Sequence, residues 1–266
     1  MPEAPEIRQY SDDLNDFFED HKLTEIKILA GRYKRHSGPD HLNELNKLLP
    51  QKIKDVKTKG KFIYVILENN YVIAMTMGLS GFFTEDDLKH NNIEFKTING
   101  SIFMNDMRNF GTLSIFKNIE QLQKKLDKIG PDIFYITENQ FVEIIKSAPS
   151  AKIGEFLMKQ PKIAGIGNYL RADILWMSKI SPFRKIKDLT LQEIKNIFIN
   201  SQKLIWYFYD YKQGIKDKII SKTDKFPIDY DRDFFAYGEK KDINGHEVKT
   251  DTLGGRTIHY VPDHQK

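Results

Sequence analysis

The apolar pattern of this chain changes period at Lys128-Ile-Gly-Pro-Asp132, and that change limits the possible folds more than any other feature. Ahead of it, LTEIKILAGRY, KIKDVKTKGKFIYVILENNYVIAMTMGLSGFF and IEFKTINGSIFMNDMRNFGTLSIF carry alternating or β-branched apolar residues. Glu68-Asn69-Asn70 and Asn99-Gly100 punctuate them as hairpin turns do. So many strands in so short a span predict an antiparallel sandwich or barrel. Beyond Gly130-Pro131, QFVEIIKSA, AKIGEFLMKQ, GNYLRADILWMSKI and LTLQEIKNIFINSQKLIWYFYDY follow helix spacing. The last of these opens with Thr190 and Glu193 placed as a capping box. A polar stretch over 213–229 interrupts the helices. The tail FFAYGEKKDINGHEVKTDTLGGRTIHYVPDHQ then returns to strand character, with turn signals at Asn244-Gly245 and Gly254-Gly255 for two hairpins or one long one. The fold class is therefore α+β.

Ahead of the strands, MPEAPEIR places two prolines and two glutamates before the first apolar stripe. Ile7, Tyr10, Leu14 and Phe17 recur at three- and four-residue spacing, which predicts a helix from Pro5 to about Lys22 with proline in its first turn. The opening residues are then either a cap for that helix or a reagent held in place by it. Composition narrows the chemistry. The chain has no cysteine, so disulfides, thiolate metal sites and a thiol nucleophile are excluded. No apolar run reaches a membrane span or makes a signal peptide, so an intracellular protein without membrane contact is expected. The formal charge of +4 is too mild to argue for nucleic acid by itself. Only eight of the 41 basic residues are Arg, so each Arg is a candidate for bidentate work that Lys does poorly.

Four stretches carry possible chemistry. In PKIAGIGNYLRADILW, glycines at 165 and 167 precede a helix whose first N–H groups suit an anion, or they simply let two helices turn and pack. In GGRTIHYVPDHQ, Arg256 follows a glycine pair at a hairpin tip, able to grip a phosphate or merely solvated. In NDMRNFG, Arg108 and Phe110 project to one side, either as a wedge into a base stack or as a core ring with a snorkelling cation. In KTKGKFIYV, Lys61 opens an apolar strand after a glycine, a position where lysines are mostly surface charge.

The order of these stretches changes the weight of the alternatives. PEAPEI, KGK, GLSGFF, HNNIEF, NDMRNFG, GPD, AGIGNYLRADILW and the terminal GGRTIHYVPDHQ resemble, in sequence and spacing, the formamidopyrimidine-DNA glycosylase/endonuclease VIII family, from residue 2 to 265. AGIGNYLRADILW is the most specific piece and resembles the helix-two-turn-helix signature of the endonuclease VIII side. The resemblance implies an N-terminal catalytic β-sandwich domain over 1–127, a linker and start of the helical region over 128–150, a helix-two-turn-helix DNA-binding domain over 151–228 and a β-hairpin finger over 229–266.

It also implies a bifunctional DNA glycosylase and AP lyase of base excision repair that removes oxidised bases, pyrimidines first and oxidised purines such as 8-oxoguanine or formamidopyrimidines as the alternative. Met1 would be removed and the freed amine of Pro2 would be the nucleophile. Glu3 would be acid and base at the sugar ring oxygen, with Glu6 in support. Lys61 and Arg256 would hold the lesion phosphate through β and δ elimination. Asn168 would bind the DNA backbone, while Leu79, Arg108 and Phe110 would fill the space vacated by the flipped base. GLS departs from the more usual GMS at Leu79. Many relatives clamp the finger with four cysteines and zinc. Here Val261 and His264 stand in the places of the last pair, and His246, His259 and His264 alone cannot rebuild that site. A zincless finger held by strand pairing and apolar packing is expected, with no metal or cofactor, in a monomer acting on lesion-containing or abasic DNA. The competing class is a catalytically silent damage sensor with the same DNA-binding parts. An RNA-binding module would leave the N-terminal half unexplained.

Overall fold

The structure, a computed structural model, describes residues 2–212 and 234–266. Met1 and the polar stretch from Gln213 to Asp229 lie outside the described residues. Two compact units divide the chain, Met1–Lys128 and Ile129–Lys266.

The first unit runs α1 (Ala4–Phe18), β1 (Lys22–Ile28), α2 (Arg32–Arg35), α3 (Leu42–Asn46), β2 (Gln51–Lys59), β3 (Phe62–Leu67), β4 (Val72–Thr76), β5 (Phe82–Thr84), β6 (Asn91–Thr97), β7 (Ser101–Asn105), β8 (Thr112–Phe116) and α4 (Ile119–Leu126). All strand pairs are antiparallel, in the order β5-β7-β6-β1-β2-β3-β4-β8. Strands β1 and β2 meet only at Lys22↔Lys52 and Leu23↔Gln51, so the sheet behaves as two four-stranded halves hinged there. Their inward residues, among them Ile26, Phe95 and Ile102 from one half and Val65, Ile73 and Leu113 from the other, form one core. This is the sandwich that the alternating runs predict.

Helix α1 joins that core through Ile7, Leu14 and Phe18, with Tyr10 and Phe17 partly buried beside them. A 15-residue helix is marginal alone, and burial at roughly 2 kcal/mol per large apolar side chain is what fixes it. It ends at Phe18, earlier than the spacing predicts, because Asp20 turns left-handed (φ 59°) to start β1. The run LTEIKILAGRY likewise stops being a strand at Ile28. Gly31, at φ 76°, turns the chain into the single turn of α2 instead.

The second unit contains α5 (Glu138–Lys146), α6 (Ile153–Phe156), α7 (Asn168–Met177), α8 (Leu191–Lys212), β9 (Lys249–Leu253) and β10 (Arg256–Tyr260). Thr137 with Gln140 caps α5, and Thr190 with Glu193 caps α8, the Thr190 hydroxyl accepting the Glu193 amide at 3.2 Å. Of AKIGEFLMKQ only the one turn of α6 is helical. Helix α7 is buried from Tyr169 to Trp176 on every face, so it is the spine of this unit rather than a surface helix. The tail forms one regular hairpin, β9 with β10. Ahead of it, the Asn244-Gly245 turn is closed by a single bridge between Lys241 and Glu247. No helix among the described residues is long and apolar enough to cross a membrane.

Candidate functional site

Pro2 is half-buried at the head of the first helix, and Glu3 is the N-cap, 1% exposed. Glu3 and Glu6 form a capping box in which the Glu6 carboxylate accepts the Glu3 amide at 2.8 Å. Both readings of MPEAPEIR therefore hold together: the segment caps a helix, and the cap fixes the position of the residues before it. Farther along the helix, burial pushes the Tyr10 phenol up to about 12, with the carboxylates of Glu6 and Asp13 adding to the effect.

The body of α1 is bolted to β2. Ser11 Oγ donates to the Val56 carbonyl at 3.1 Å, and the Asn15 amide bridges the Val56 N–H and C=O. The last turn of α1 shares a cleft with Ile53, Lys54 and Asp55, so its first turn is directed the other way, toward the β2–β3 turn. That turn is Gly60-Lys61, closed by the pair Lys59↔Phe62, with Gly60 at φ 59° in its first central position. From Ser11 to Glu3 is about 12 Å of helix, and from Val56 to Lys61 about 16 Å of strand. The half-buried Lys61 is thus a turn residue rather than the first residue of a strand, on the side of the sheet toward which the N-terminus points.

Leu79, Arg108 and Phe110 are brought together. Leu79 lies in the turn after β4, Arg108 and Phe110 in the loop between β7 and β8. Gly78 sits so close to this loop that a Cβ there would meet the Phe110 carbonyl carbon and Gly111 nitrogen at 2.7 Å. Phe110 is 54% exposed, which rules out the core-ring reading, and the Arg108 guanidinium lies 5.4 Å from its ring centroid. Met107 is 60% exposed beside them. The residue that organises both loops is Asp106, which sequence reasoning passed over. Buried at 2%, it accepts from Ser80 Oγ at 2.6 Å, from the Arg108 amide at 3.2 Å and from the Gly111 amide at 2.7 Å.

In the second unit, Asn168 is the first residue of α7, and its amide donates to the Thr257 carbonyl of β10 at 2.9 Å. Arg171, 1% exposed, reaches the same carbonyl at 3.1 Å, the Asn168 side-chain oxygen, and the Gly154 carbonyl at 3.3 Å. Arg256, the residue before Thr257, is exposed directly after the Gly254-Gly255 turn, whose φ values of 59° and 72° are those of a type I′ hairpin. The structure therefore places Asn168 and Arg256 beside each other. Of the two glycines before Asn168, Gly165 is occupied locally, its amide donating to Gln160 Oε1 at 3.0 Å.

Two further α7 residues hold the tail. Asp173 is fully buried and accepts the amides of Phe235, Ala236 and Tyr237 at 2.9 to 3.2 Å. Burial pushes its carboxyl up to about 6 against the pull of those three N–H groups. Trp176 donates its indole N–H to Asp242 Oδ2 at 3.0 Å. Burial raises the Asp242 carboxyl, but the hydrogen bonds from Trp176, His246 and Asn244 outweigh it and leave the group below its ordinary range. The hairpin packs Leu253 and Ile258 against Ala172 of α7, with Val261 fully buried next to it. His246 and His264 stand with Asp242, whereas His259 lies apart against Tyr237 and near Arg171.

Residues 1–113 match the formamidopyrimidine-DNA glycosylase N-terminal domain, and residues 129–217 match the formamidopyrimidine-DNA glycosylase H2TH domain. The formamidopyrimidine-DNA glycosylase of Mycoplasma genitalium is 29% identical over 214 residues, 77% of this chain and 74% of that one. The enzyme of the same name from Oceanobacillus iheyensis is 26% identical over 278 residues, 98% and 96% of the two chains. Two solved structures of Lactococcus lactis Fpg superpose with TM-scores of 0.81. One, in complex with DNA containing an abasic site, is 21% identical over 99% of both chains; the other, with DNA containing an oxidised pyrimidine, is 22% identical over 100% of both. With both of its domains matched in order, the chain belongs to the formamidopyrimidine-DNA glycosylase family.

Proposed function

We propose that this chain is a DNA glycosylase with AP lyase activity in base excision repair, that Pro2 is its nucleophile, and that ring-opened purines are its preferred lesions. The reading is carried by the family match across both units, with Pro2 and Glu3 standing at the head of the matched N-terminal domain. An α-amino group has a reference pKa of about 8 against about 10.4 for Lys, so more of it is neutral and nucleophilic at neutral pH. Once Met1 is removed, the Pro2 nitrogen attacks C1′ of the sugar as the bond from C1′ to the base breaks and the base leaves with a proton. Glu3 delivers a proton to the ring oxygen, the ring opens and an iminium forms. That cation acidifies the C2′ hydrogen, whose loss expels the 3′ phosphate; a second elimination expels the 5′ phosphate. Lys61 and Arg256 bind the phosphates, Asn168 positions the backbone, and Glu6 supports Glu3 by closing the cap. Leu79, Arg108 and Phe110 occupy the gap left by the extruded nucleotide, at a cost of a few kcal/mol for extrusion that damage lowers.

The preference for ring-opened purines departs from the pyrimidine expectation set by AGIGNYLRADILW, because the relatives at 24–29% identity are all named for formamidopyrimidine lesions. Oxidised pyrimidines stay as the second reading, favoured by the Lactococcus lactis complex with such a base. Borohydride trapping on abasic-site DNA tests the chemistry: the matured protein should form a covalent adduct, and Pro2→Gly should form at least tenfold less. Tight binding with no adduct would establish the silent damage sensor instead. A panel of single-lesion duplexes, with formamidopyrimidine, 8-oxoguanine and 5-hydroxycytosine, ranks the substrates.

A further inference from the structure

At the base of the terminal hairpin, one carboxylate oxygen of Asp242, one ring nitrogen of His246 and one of His264 all lie within 4.8 Å of each other. We propose that these three side chains form an exchangeable site for a divalent transition ion of the zinc class. The inference concerns the second unit alone and does not depend on the excision chemistry.

The donors differ from a four-cysteine clamp, and the chain has no cysteine to supply one. What fits an ion is how each donor is already aimed. Asp242 Oδ1 is spent on the amides of Asn244 and His246, at 2.9 Å each. Oδ2 takes the Trp176 indole N–H on one lone pair and faces His246 Nδ1, 3.2 Å away, with the other. The ion would take that second lone pair in place of the His246 N–H, the ring's proton passing to its other nitrogen. His264 Nε2 lies 3.1 Å from the Trp176 carbonyl, an acceptor only, so Nε2 carries the proton and Nδ1 holds a free lone pair. A histidine whose far nitrogen donates to a backbone carbonyl is the usual arrangement of a metal ligand. The His264 ring is held there by stacking on Trp176, centroids 4.9 Å apart, and His246 lies parallel to it at 6.2 Å.

Two imidazoles and one carboxylate suit Zn²⁺, Co²⁺ or Ni²⁺ and not Ca²⁺ or Mg²⁺, which take oxygen ligands. Three protein donors leave one position to water. Without an ion, Asp242 is hydrogen-bonded to His246, and Asp242 and His264 are each hydrogen-bonded to Trp176 of α7, so the finger stays folded when the ion leaves. The bound ion would brace the Asp242–His246 turn against the segment after β10, and so stiffen the hairpin that presents Arg256.

The test uses the full chain without a histidine tag, stripped with a chelator and titrated with zinc chloride by calorimetry, with thermal melting in parallel. The expected result is one saturable equivalent at micromolar zinc and a rise in Tm of roughly 5 °C or more at a hundredfold excess over Kd. His246→Ala, at a side chain 40% exposed, keeps the circular dichroism spectrum and should weaken binding by at least tenfold. His264→Gln should do the same, while His259→Ala should bind zinc like the parent. Cobalt should give the visible absorption of a four-coordinate site. No saturable zinc binding below about 1 mM, or binding that survives both His246→Ala and His264→Gln, overturns the proposal.

Discussion

The Asp106 carboxylate accepts from Ser80, Arg108 and Gly111 and thereby fixes two loops that have no regular structure of their own. Truncating it would strand three donors in a site 2% exposed, at a cost of about 2–4 kcal/mol. Asp106→Ala should therefore lower stability by that amount in urea. It should also cut excision from damaged duplex at least tenfold while borohydride trapping on single-stranded abasic DNA persists, because a single strand leaves no gap to fill. Equal losses on both substrates would show that Asp106 serves folding only. Arg108 and Phe110 were legible in the sequence as residues on one side, although through strand alternation and not through the loop that in fact pairs them. Asp106 was not legible, since in NDMRNFG it reads as one more turn former. Its Ser80 partner is 26 residues away.

Elements whose signals are local were read from sequence, and elements defined by distant partners were not. The capping box of α8 is an example of the first kind: Thr190 and Glu193 are three residues apart, and the Glu193 carboxylate accepts the Thr190 amide at 2.7 Å. The structure adds Arg184, bidentate on the same carboxylate at 2.5 and 3.2 Å, and with the Thr190 bonds this brings Glu193 down to about 2. A depressed folded-state pKa stabilises above the unfolded value of about 4.5, and that contribution disappears as pH falls toward 2. Glu193→Gln should then cost about 1–2 kcal/mol at pH 7, discounted for a side chain about one quarter exposed, and progressively less between pH 4.5 and 2. Urea denaturation at pH 7 and pH 3 measures both values, and a gap that does not narrow would refute the assignment. Helix α7 is the second kind. Its Arg171, Asp173 and Trp176 hang the tail on the helix through partners 86, 63 and 66 residues away. No spacing rule within GNYLRADILW could announce them, so the sequence reading singled out only Asn168.

At the scale of the molecule, each unit carries its own share of the residues proposed to bind phosphate: Lys61 in Met1–Lys128, Arg256 with Asn168 in Ile129–Lys266. A net charge of +4 spread over 41 basic and 37 acidic residues gives little general attraction to DNA, so the salt dependence of binding should report these few contacts. Each cation that neutralises a phosphate adds about one to the slope of log K against log salt, and removing it subtracts about one. Lys61→Ala and Arg256→Ala should each lower the slope by about one on a single abasic-site duplex, and the double variant by about two. Fluorescence anisotropy between 50 and 300 mM salt would check this. Additivity would mean that one DNA molecule is held by both residues at once, as the roles proposed for Pro2, Lys61 and Arg256 require. A double variant no different from either single one would mean that the two residues never engage the same DNA, and the roles given to them here would fail together.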